Sequence, residues 1–150
     1  MHCQIRHSAY VRDGVVVGSH SVVGHCVEVK ASILMPECEV PHFNYVGDSV
    51  LGRRVHLGAG AVLSNVRQDR QDIQIRIGNR VWDTRRWKVG AMLADGVEVG
   101  CNAVLNPGMV VPQGWVGRPG KSYSMEDIRQ WMVKKNILKP MSEWRHRSQQ

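Results

Sequence analysis

Aliphatic residues recur at every sixth position along most of the chain, and small or polar residues follow them. They lead blocks at Val11, Val17, Val23 and Val29, and the interval returns from Tyr45 through Leu51, Leu57 and Leu63, and again at Leu93, Val99, Leu105 and Val111. An amphipathic helix would space them by three and four residues, and a half-buried strand would alternate at every second residue. The repeat predicts an all-β fold, a parallel β-helix whose triangular coils each take about eighteen residues.

The repeat is interrupted in ways that predict the organisation of the chain. Two blocks are one residue short, from Val29 to Leu34 and from Val40 to Tyr45. A polar, charged stretch at about 66–88, in which only the run from Ile77 to Trp82 looks like a coil face, is expected to loop out of the prism. We therefore expect a β-helix domain over residues 1–120, with this loop as an insertion.

The remaining residues, 121–150, are expected to form a helical extension. Ser124 offers a capping hydroxyl ahead of acidic residues, and Ile128, Trp131, Met132 and Ile137 recur at helical spacing. A helix here would cover the open end of the prism, because a solenoid needs caps. The tail from Met141 to Gln150 is expected to be a second short helix or disordered.

Composition narrows the class of protein and its partners. The 150 residues suit one domain, and a single Phe means that the core must be built from aliphatic residues. A net charge of +7 favours anionic partners, but aromatic residues are not interleaved for base stacking, so nucleic acid is not expected. Polar residues follow Met1 and no apolar run is long enough for a membrane span, which predicts a cytoplasmic protein with no membrane partner. The four cysteines form no CxxC pair and are expected to be reduced and structural.

Spacing alone selects one pair of cations. Arg12 and Lys30 are eighteen residues apart, so they should lie one above the other on one face. Stacked cations repel each other unless they share an anion, and a bridging phosphate would relieve that repulsion. The alternative is a pair of solvated side chains, with Glu28 close enough to offset one of them.

His42 is a candidate general base, although a histidine among apolar residues is more often packed and hydrogen-bonded.

Three stretches carry a family resemblance: Val27 to Lys30 (VEVK), Pro41 to Asp48 (PHFNYVGD) and Leu57 to Asn65 (LGAGAVLSN). They resemble the acetyltransferase domain of bifunctional N-acetylglucosamine-1-phosphate uridyltransferase. The runs from Asp83 to Ala91 and from Leu105 to Gly108 are similar to the C-terminal domains of archaeal-type sugar-1-phosphate nucleotidyltransferases. The resemblance covers about residues 10–117 and implies a left-handed β-helix.

The resemblance implies a reaction and a role for each matching residue. His42 would deprotonate the amine of glucosamine- or galactosamine-1-phosphate as that amine attacks the thioester of acetyl-CoA. Arg12 and Lys30 would bind the phosphate, Tyr45 would contact the sugar, and Asn65 would belong to the acetyl-transfer site. Ala59 and Ala91 match positions where the backbone meets the acetyl-CoA arm, and a backbone N–H near Ala59 would stabilise the oxyanion.

The implied assembly is a homotrimer with its site between subunits, where the two cations and the imidazole of His42 converge. There are departures: His56 stands where the family has a sugar-binding asparagine, and Gln71, beside Arg70, stands in place of a lysine. The nucleotidyltransferase domain is missing, which implies a separate nucleotidyltransferase as a partner or source of substrate. One alternative is therefore a noncatalytic module that binds sugar phosphates or nucleotide sugars, or that assists assembly.

A zinc enzyme resembling γ-class carbonic anhydrases is a further alternative. His20 and His25 have the spacing of that family's paired ligands, and His2 and His7 lie one coil away from them. The order of ligands differs from that family, however, so stacked, solvent-facing histidines are expected and no metal is assigned.

Overall fold

The computed structural model describes residues 2–138, and these residues form a triangular prism of short parallel strands. In chain order the strands are β1 (Gln4–Ile5), β2 (Tyr10–Val11), β3 (Val16–Val17), β4 (Val22–His25), β5 (Glu28–Lys30), β6 (Ile33–Leu34), β7 (Glu39–His42), β8 (Tyr45–Gly47), β9 (Val50–Leu51), β10 (His56–Leu57), β11 (Val62–Leu63), β12 (Gln74–Ile77), β13 (Arg80–Asp83), β14 (Met92–Leu93), β15 (Glu98–Val99), β16 (Val104–Leu105), β17 (Val110–Val111) and β18 (Ser122–Tyr123).

Three parallel sheets make the three faces of the prism. Face A stacks β1, β4, β7, β10 and β15; face B stacks β2, β5, β8, β11, β16 and β18; face C stacks β3, β6, β9, β14 and β17. The chain passes from A to B to C in each coil, so we name the corners the A/B, B/C and C/A edges. The predicted parallel β-helix is confirmed.

Stacked aliphatic residues fill the interior, as the repeat predicts. Val23, Val40, Leu57 and Val99 follow one another up face A, and each is at most 2% exposed. Burying such side chains contributes roughly 1.5–3 kcal/mol each, before the entropy cost of ordering the chain. The hydrophobic effect therefore fixes which residue of each block points inward.

The coil length differs from the predicted eighteen residues in the middle of the prism. Register partners are eighteen residues apart for Tyr10 and Glu28 but seventeen for Glu28 and Tyr45. The short block from Val29 to Leu34 is confirmed, but the second was misplaced. Val46 is fully buried and Tyr45 is half-buried, so Val46 is the inward residue and the short block runs from Val46 to Leu51. Both shortages fall at the B/C edge.

Residues 66–88 leave the prism and return to it. Partners on β11 and β16 are 42 residues apart, and an antiparallel contact between Val66 and Lys88 closes the excursion. Within it, β12 and β13 form an antiparallel hairpin in which Ile75 opposes Trp82 and Ile77 opposes Arg80. The expectation that the run from Ile77 to Trp82 forms a coil face is wrong, because those residues make the tip and the second strand of the hairpin.

A helix, α1 (Met125–Lys134), follows β18 and packs on the end of the prism. The backbone N–H of Ser124 donates to Asp127 at 2.9 Å, and its hydroxyl lies at the same distance from that carboxylate. Ile128 is fully buried, and Trp131 packs against the core. Ile137, which was expected to continue the helix, lies beyond its end and is 54% exposed.

The expectations for the tail from Met141 to Gln150 fall outside the described residues. Within residues 2–138, α1 is too short and too polar to cross a membrane, and no other helix meets that requirement.

Candidate functional site

Arg12 and Lys30 lie one above the other at the B/C edge. Val11 and Val29 are register partners, and the residue that follows each of them is the predicted cation. Each cation already has a carboxylate partner. Arg12 Nη1 lies 2.8 Å from Glu28 Oε1, and Lys30 Nζ lies 2.9 and 3.1 Å from the two oxygens of Asp48. The hydrogen bond with Glu28 raises the pKa of Arg12 above its ordinary value. An incoming phosphate would therefore have to compete with two carboxylates.

Asp48 links the cations to Asn65. The Asn65 side chain is 7% exposed and donates its amide Nδ2–H to Asp48 Oδ2, the carboxylate that also holds Lys30. The same edge carries a tight approach at Gly47, where an added Cβ would lie 2.6 Å from Tyr45 Oη and 2.7 Å from Asn65 Nδ2. An alanine at this position would therefore force one or both of these side chains to shift. Hydrogen bonds connect Lys30, Asp48 and Asn65, and Tyr45 Oη lies near the same Gly47; we call these four side chains the B/C cluster.

His42 lies at the A/B edge, on the opposite side of face B from the B/C cluster. It ends β7, is exposed, and has His25 as its register partner one coil away. Its backbone N–H donates to Asn44 Oδ1 at 3.1 Å, and the Asn44 amide donates to Gly58 O at 2.8 Å. Asn44 is 3% exposed, so a buried and satisfied hydrogen-bond network fixes the backbone that carries the imidazole.

The alanines expected to meet acetyl-CoA lie at both edges. Gly60, next to Ala59, donates its N–H to His42 O at 3.0 Å, so Ala59 lies one coil above His42. Ala91 lies at the B/C edge, where the preceding Gly90 donates its N–H to Asp48 O at 2.9 Å. Each alanine therefore adjoins a candidate site residue.

His56 lies on neither edge. It is on face A, where its register partners are Glu39 and Glu98 on the two neighbouring strands.

Within one chain the structure groups Arg12 with the B/C cluster and His42 with Ala59, and face B separates the two groups. The predicted meeting of both cations with His42 does not occur inside a single chain, because their blocks end at different corners.

Asp48 positions the site but was not assigned a role from the sequence. Its place beside Lys30 depends on the seventeen-residue coil, in which Gly47 is the register partner of Lys30 and Asp48 is the next residue. Asn44, which the sequence offers as a neighbour able to orient His42, fixes the backbone of His42 and donates to two carbonyl acceptors from the next coil.

The histidines stack as predicted. The rings of His2 and His20 are 5.5 Å apart between centroids, and those of His7 and His25 are 4.3 Å apart. Among residues 2–138, however, no three His, Cys, Asp or Glu side chains are grouped so that they could hold one metal ion.

The stacked six-residue blocks, glycine-supported edges and terminal helix define a hexapeptide-repeat β-helix protein. Residues 1–122 match the family model described as the GMPPB C-terminal domain, and the chain belongs to that family.

Two relatives are longer proteins that the chain matches over part of their length. The chain is 34% identical over 105 residues to a bifunctional sugar-1-phosphate nucleotidylyltransferase/acetyltransferase of Sulfurisphaera tokodaii, covering 69% of this chain and 26% of the relative. It is 34% identical over 110 residues to the bifunctional protein GlmU of Methanocaldococcus jannaschii, covering 73% and 27%. The chain thus spans about a quarter of the length of these relatives.

Solved structures show the same fold. A hexapeptide transferase family protein from Anaplasma phagocytophilum matches with a TM-score of 0.56 and 18% identity, over 90% of this chain and 74% of that chain. A mutant GDP-perosamine N-acetyl transferase from Caulobacter crescentus, in complex with CoA and GDP-perosamine, matches with a TM-score of 0.51 and 17% identity, over 77% of this chain and 47% of that chain.

Proposed function

We propose that this protein transfers an acetyl group from acetyl-CoA to the amine of an amino sugar-1-phosphate, glucosamine- or galactosamine-1-phosphate. The observation that carries the proposal is the similarity to the bifunctional nucleotidylyltransferase/acetyltransferase of Sulfurisphaera tokodaii, at 34% identity over 105 residues. The exposed imidazole on a fixed backbone and the cation pair at the opposite edge of face B suit this chemistry.

His42 is proposed as the general base. Its imidazole takes a proton from the sugar amine as the amine nitrogen forms a bond to the thioester carbonyl carbon. The tetrahedral intermediate then collapses, the carbon–sulfur bond breaks, and the CoA sulfur leaves with the proton that His42 returns. The Ala59 backbone adjoins His42, so an N–H at that turn is the proposed donor to the oxyanion.

The B/C cluster and Arg12 are proposed to bind the sugar phosphate. Arg12 offers a guanidinium fork and Lys30 a compact charge, and both would bind a phosphate once it displaces the carboxylates of Glu28 and Asp48 from them. Tyr45 would contact the sugar ring, and Asn65 with the Ala91 backbone would border the acetyl-CoA arm. His56 points from face A beside Glu39 and Glu98, so its proposed contact with sugar requires a neighbouring copy.

A homotrimer with the site between copies is therefore part of the proposal, since it could bring His42 of one copy to the B/C edge of the next. An apolar column on face C supports self-association. Val16, Ile33 and Val50 are register partners there and are 59%, 42% and 41% exposed. A contiguous apolar surface of this kind is typical of an interface.

The direct test is a thiol-release assay with acetyl-CoA and a panel of amino sugar-1-phosphates. His42→Ala should lower turnover at least about 100-fold, as expected for loss of a general base. The matched control is His7→Ala, which removes an exposed imidazole two coils away at the same edge. Unchanged turnover in His42→Ala would exclude His42 as the base.

The separation of His42 from Arg12 and Lys30 favours one alternative, a noncatalytic module that binds sugar phosphates or nucleotide sugars, because within one chain the candidate base lies across face B from the cations. That alternative predicts ligand binding with no CoA release from any acceptor in the panel.

A further inference from the structure

The 83–88 turn concentrates cations and an indole at the base of the inserted hairpin. Its four last residues are Arg85, Arg86, Trp87 and Lys88. Both arginines are exposed, Trp87 is 48% exposed, and Lys88 Nζ lies 4.2 Å from the centroid of the Trp87 ring. No carboxylate of residues 2–138 forms an ion pair with these three cations, in contrast to Arg12 and Lys30.

Hydrogen bonds hold the backbone of this turn in place. The backbone N–H of Arg85 donates to Asp83 Oδ1 at 2.9 Å, and that of Arg86 donates to Thr84 Oγ1 at 3.2 Å. Ile73, which is 1% exposed, donates its N–H to Arg86 O at 2.9 Å and accepts the Thr84 hydroxyl at 2.6 Å. The cations therefore extend from an anchored backbone, which lowers the entropy cost of binding a ligand.

The turn also adjoins the proposed acetyl-transfer site. Lys88 pairs with Val66, and the next residue, Val89, donates its N–H to Asn65 O at 3.0 Å. A ligand that reached the B/C edge near Asn65 could therefore extend onto the 83–88 turn.

We propose that the 83–88 turn is a nucleoside-phosphate-binding site, in which Arg85 and Arg86 bind phosphate and Trp87 stacks on the base. Guanidinium groups bind phosphate through paired N–H donors, and indoles stack on bases of any sequence. The ligand is the adenosine 3′,5′-bisphosphate end of CoA, a choice that rests on the proposed function. The nucleotide of a nucleotide sugar shares this chemistry.

Calorimetric titration of adenosine 3′,5′-bisphosphate, UDP and inorganic phosphate into the full chain tests the site without requiring catalysis. The double variant R85A/R86A should bind adenosine 3′,5′-bisphosphate about 10- to 100-fold more weakly. The matched control is R53A/R54A, which removes another adjacent arginine pair. Arg54 has a φ of 56° and Arg85 a φ of 51°, so both pairs place an arginine in the left-handed region.

Fluorescence gives a second readout. Quenching of tryptophan fluorescence by the bound nucleotide should be lost in Trp87→Phe. It should be retained in Trp82→Phe, which changes the other exposed tryptophan of the 66–88 insertion. Tighter binding of UDP than of adenosine 3′,5′-bisphosphate, with the same losses, would support the site and assign it to a nucleotide sugar.

Equal affinity in R85A/R86A, no binding of any probe, or inorganic phosphate binding as tightly as the nucleotides would overturn the proposal. These results are separable from the proposed function. CoA release with unchanged nucleotide affinity in R85A/R86A would reject this site alone, whereas nucleotide binding at the turn without CoA release from any acceptor would reject acetyl transfer alone.

Discussion

Asp48→Asn tests whether carboxylates regulate access to the predicted phosphate site. Asp48 holds the Lys30 ammonium with both oxygens, and the two side chains are 20% and 23% exposed. Asn is nearly isosteric with Asp and tolerates the left-handed backbone that position 48 adopts, with a φ of 48°. The substitution should therefore remove one negative charge while the edge keeps its shape.

The size of the effect follows from the geometry. Two unit charges about 4 Å apart interact by roughly 4 kcal/mol at an effective dielectric constant near 20. Partial exposure and solvent screening reduce the net value of such a pair to about 1 kcal/mol. A phosphate that no longer displaces Asp48 should bind about 5- to 10-fold more tightly. Because Asn65 loses its charged partner at the same time, kcat is expected to fall while the Kd for the sugar phosphate falls too.

The assay is calorimetric titration with glucosamine-1-phosphate at low and high salt. The gain in affinity should shrink at high salt, because the surrounding charges are screened. Asp13→Asn is the matched control, since Asp13 is an exposed carboxylate directly after Arg12. Unchanged or weaker binding in Asp48→Asn would refute the idea that phosphate competes with Asp48 for Lys30.

Three further predictions concern the fold. Ile128→Ala should lower the free energy of unfolding by about 2–5 kcal/mol and Tm by roughly 5–15 °C, because the fully buried Ile128 anchors α1 on the prism. The exposed Ile137 is the control: Ile137→Ala should have little effect, and equal Tm shifts in the two variants would contradict the prediction. Gly24→Ala should destabilise the protein to urea far more than Gly96→Ala does. An added Cβ would lie 1.7 Å from Pro41 O at position 24, whereas at position 96 it would meet no atom within 4 Å. Burial raises the pKa of Cys38 from 9.0 to about 11, so its thiol ionises at lower pH in the unfolded chain than in the folded one. The free energy of unfolding should therefore fall between about pH 9 and 11, by up to roughly 2–3 kcal/mol. A Cys38→Ala variant should lack this loss when unfolding is measured across the same pH range.

The six-residue interval was sufficient to predict the prism, because burial selects one inward residue in each block. It was not sufficient to place Tyr45, whose aromatic ring and position in the repeat both suited an inward residue. Val46 takes that place because the short block falls one edge later, at the B/C edge. A one-residue shift of this kind turns a side chain from the core to the surface, and only the cross-strand register reveals it.

The site was predictable where it depends on stacking. Arg12 and Lys30 stack as the eighteen-residue interval predicts, because the first coil on face B has eighteen residues. The separation of His42 from these cations was not visible in the sequence, since spacing along the chain does not say at which corner each block ends. The ion pair of Lys30 with Asp48 was likewise not predicted, because it depends on the seventeen-residue coil in which Gly47 is the register partner of Lys30.

His42 of one copy is proposed to act on substrate held at the B/C edge of another. Mixing subunits of His42→Ala with subunits of Lys30→Ala tests it, because neither variant alone has a complete site. With sites shared between neighbours in a closed ring, random 1:1 assembly should restore about a quarter of the wild-type rate of CoA release. Mixtures no more active than the separate variants, after subunit exchange has been shown, would exclude a site that is shared between copies.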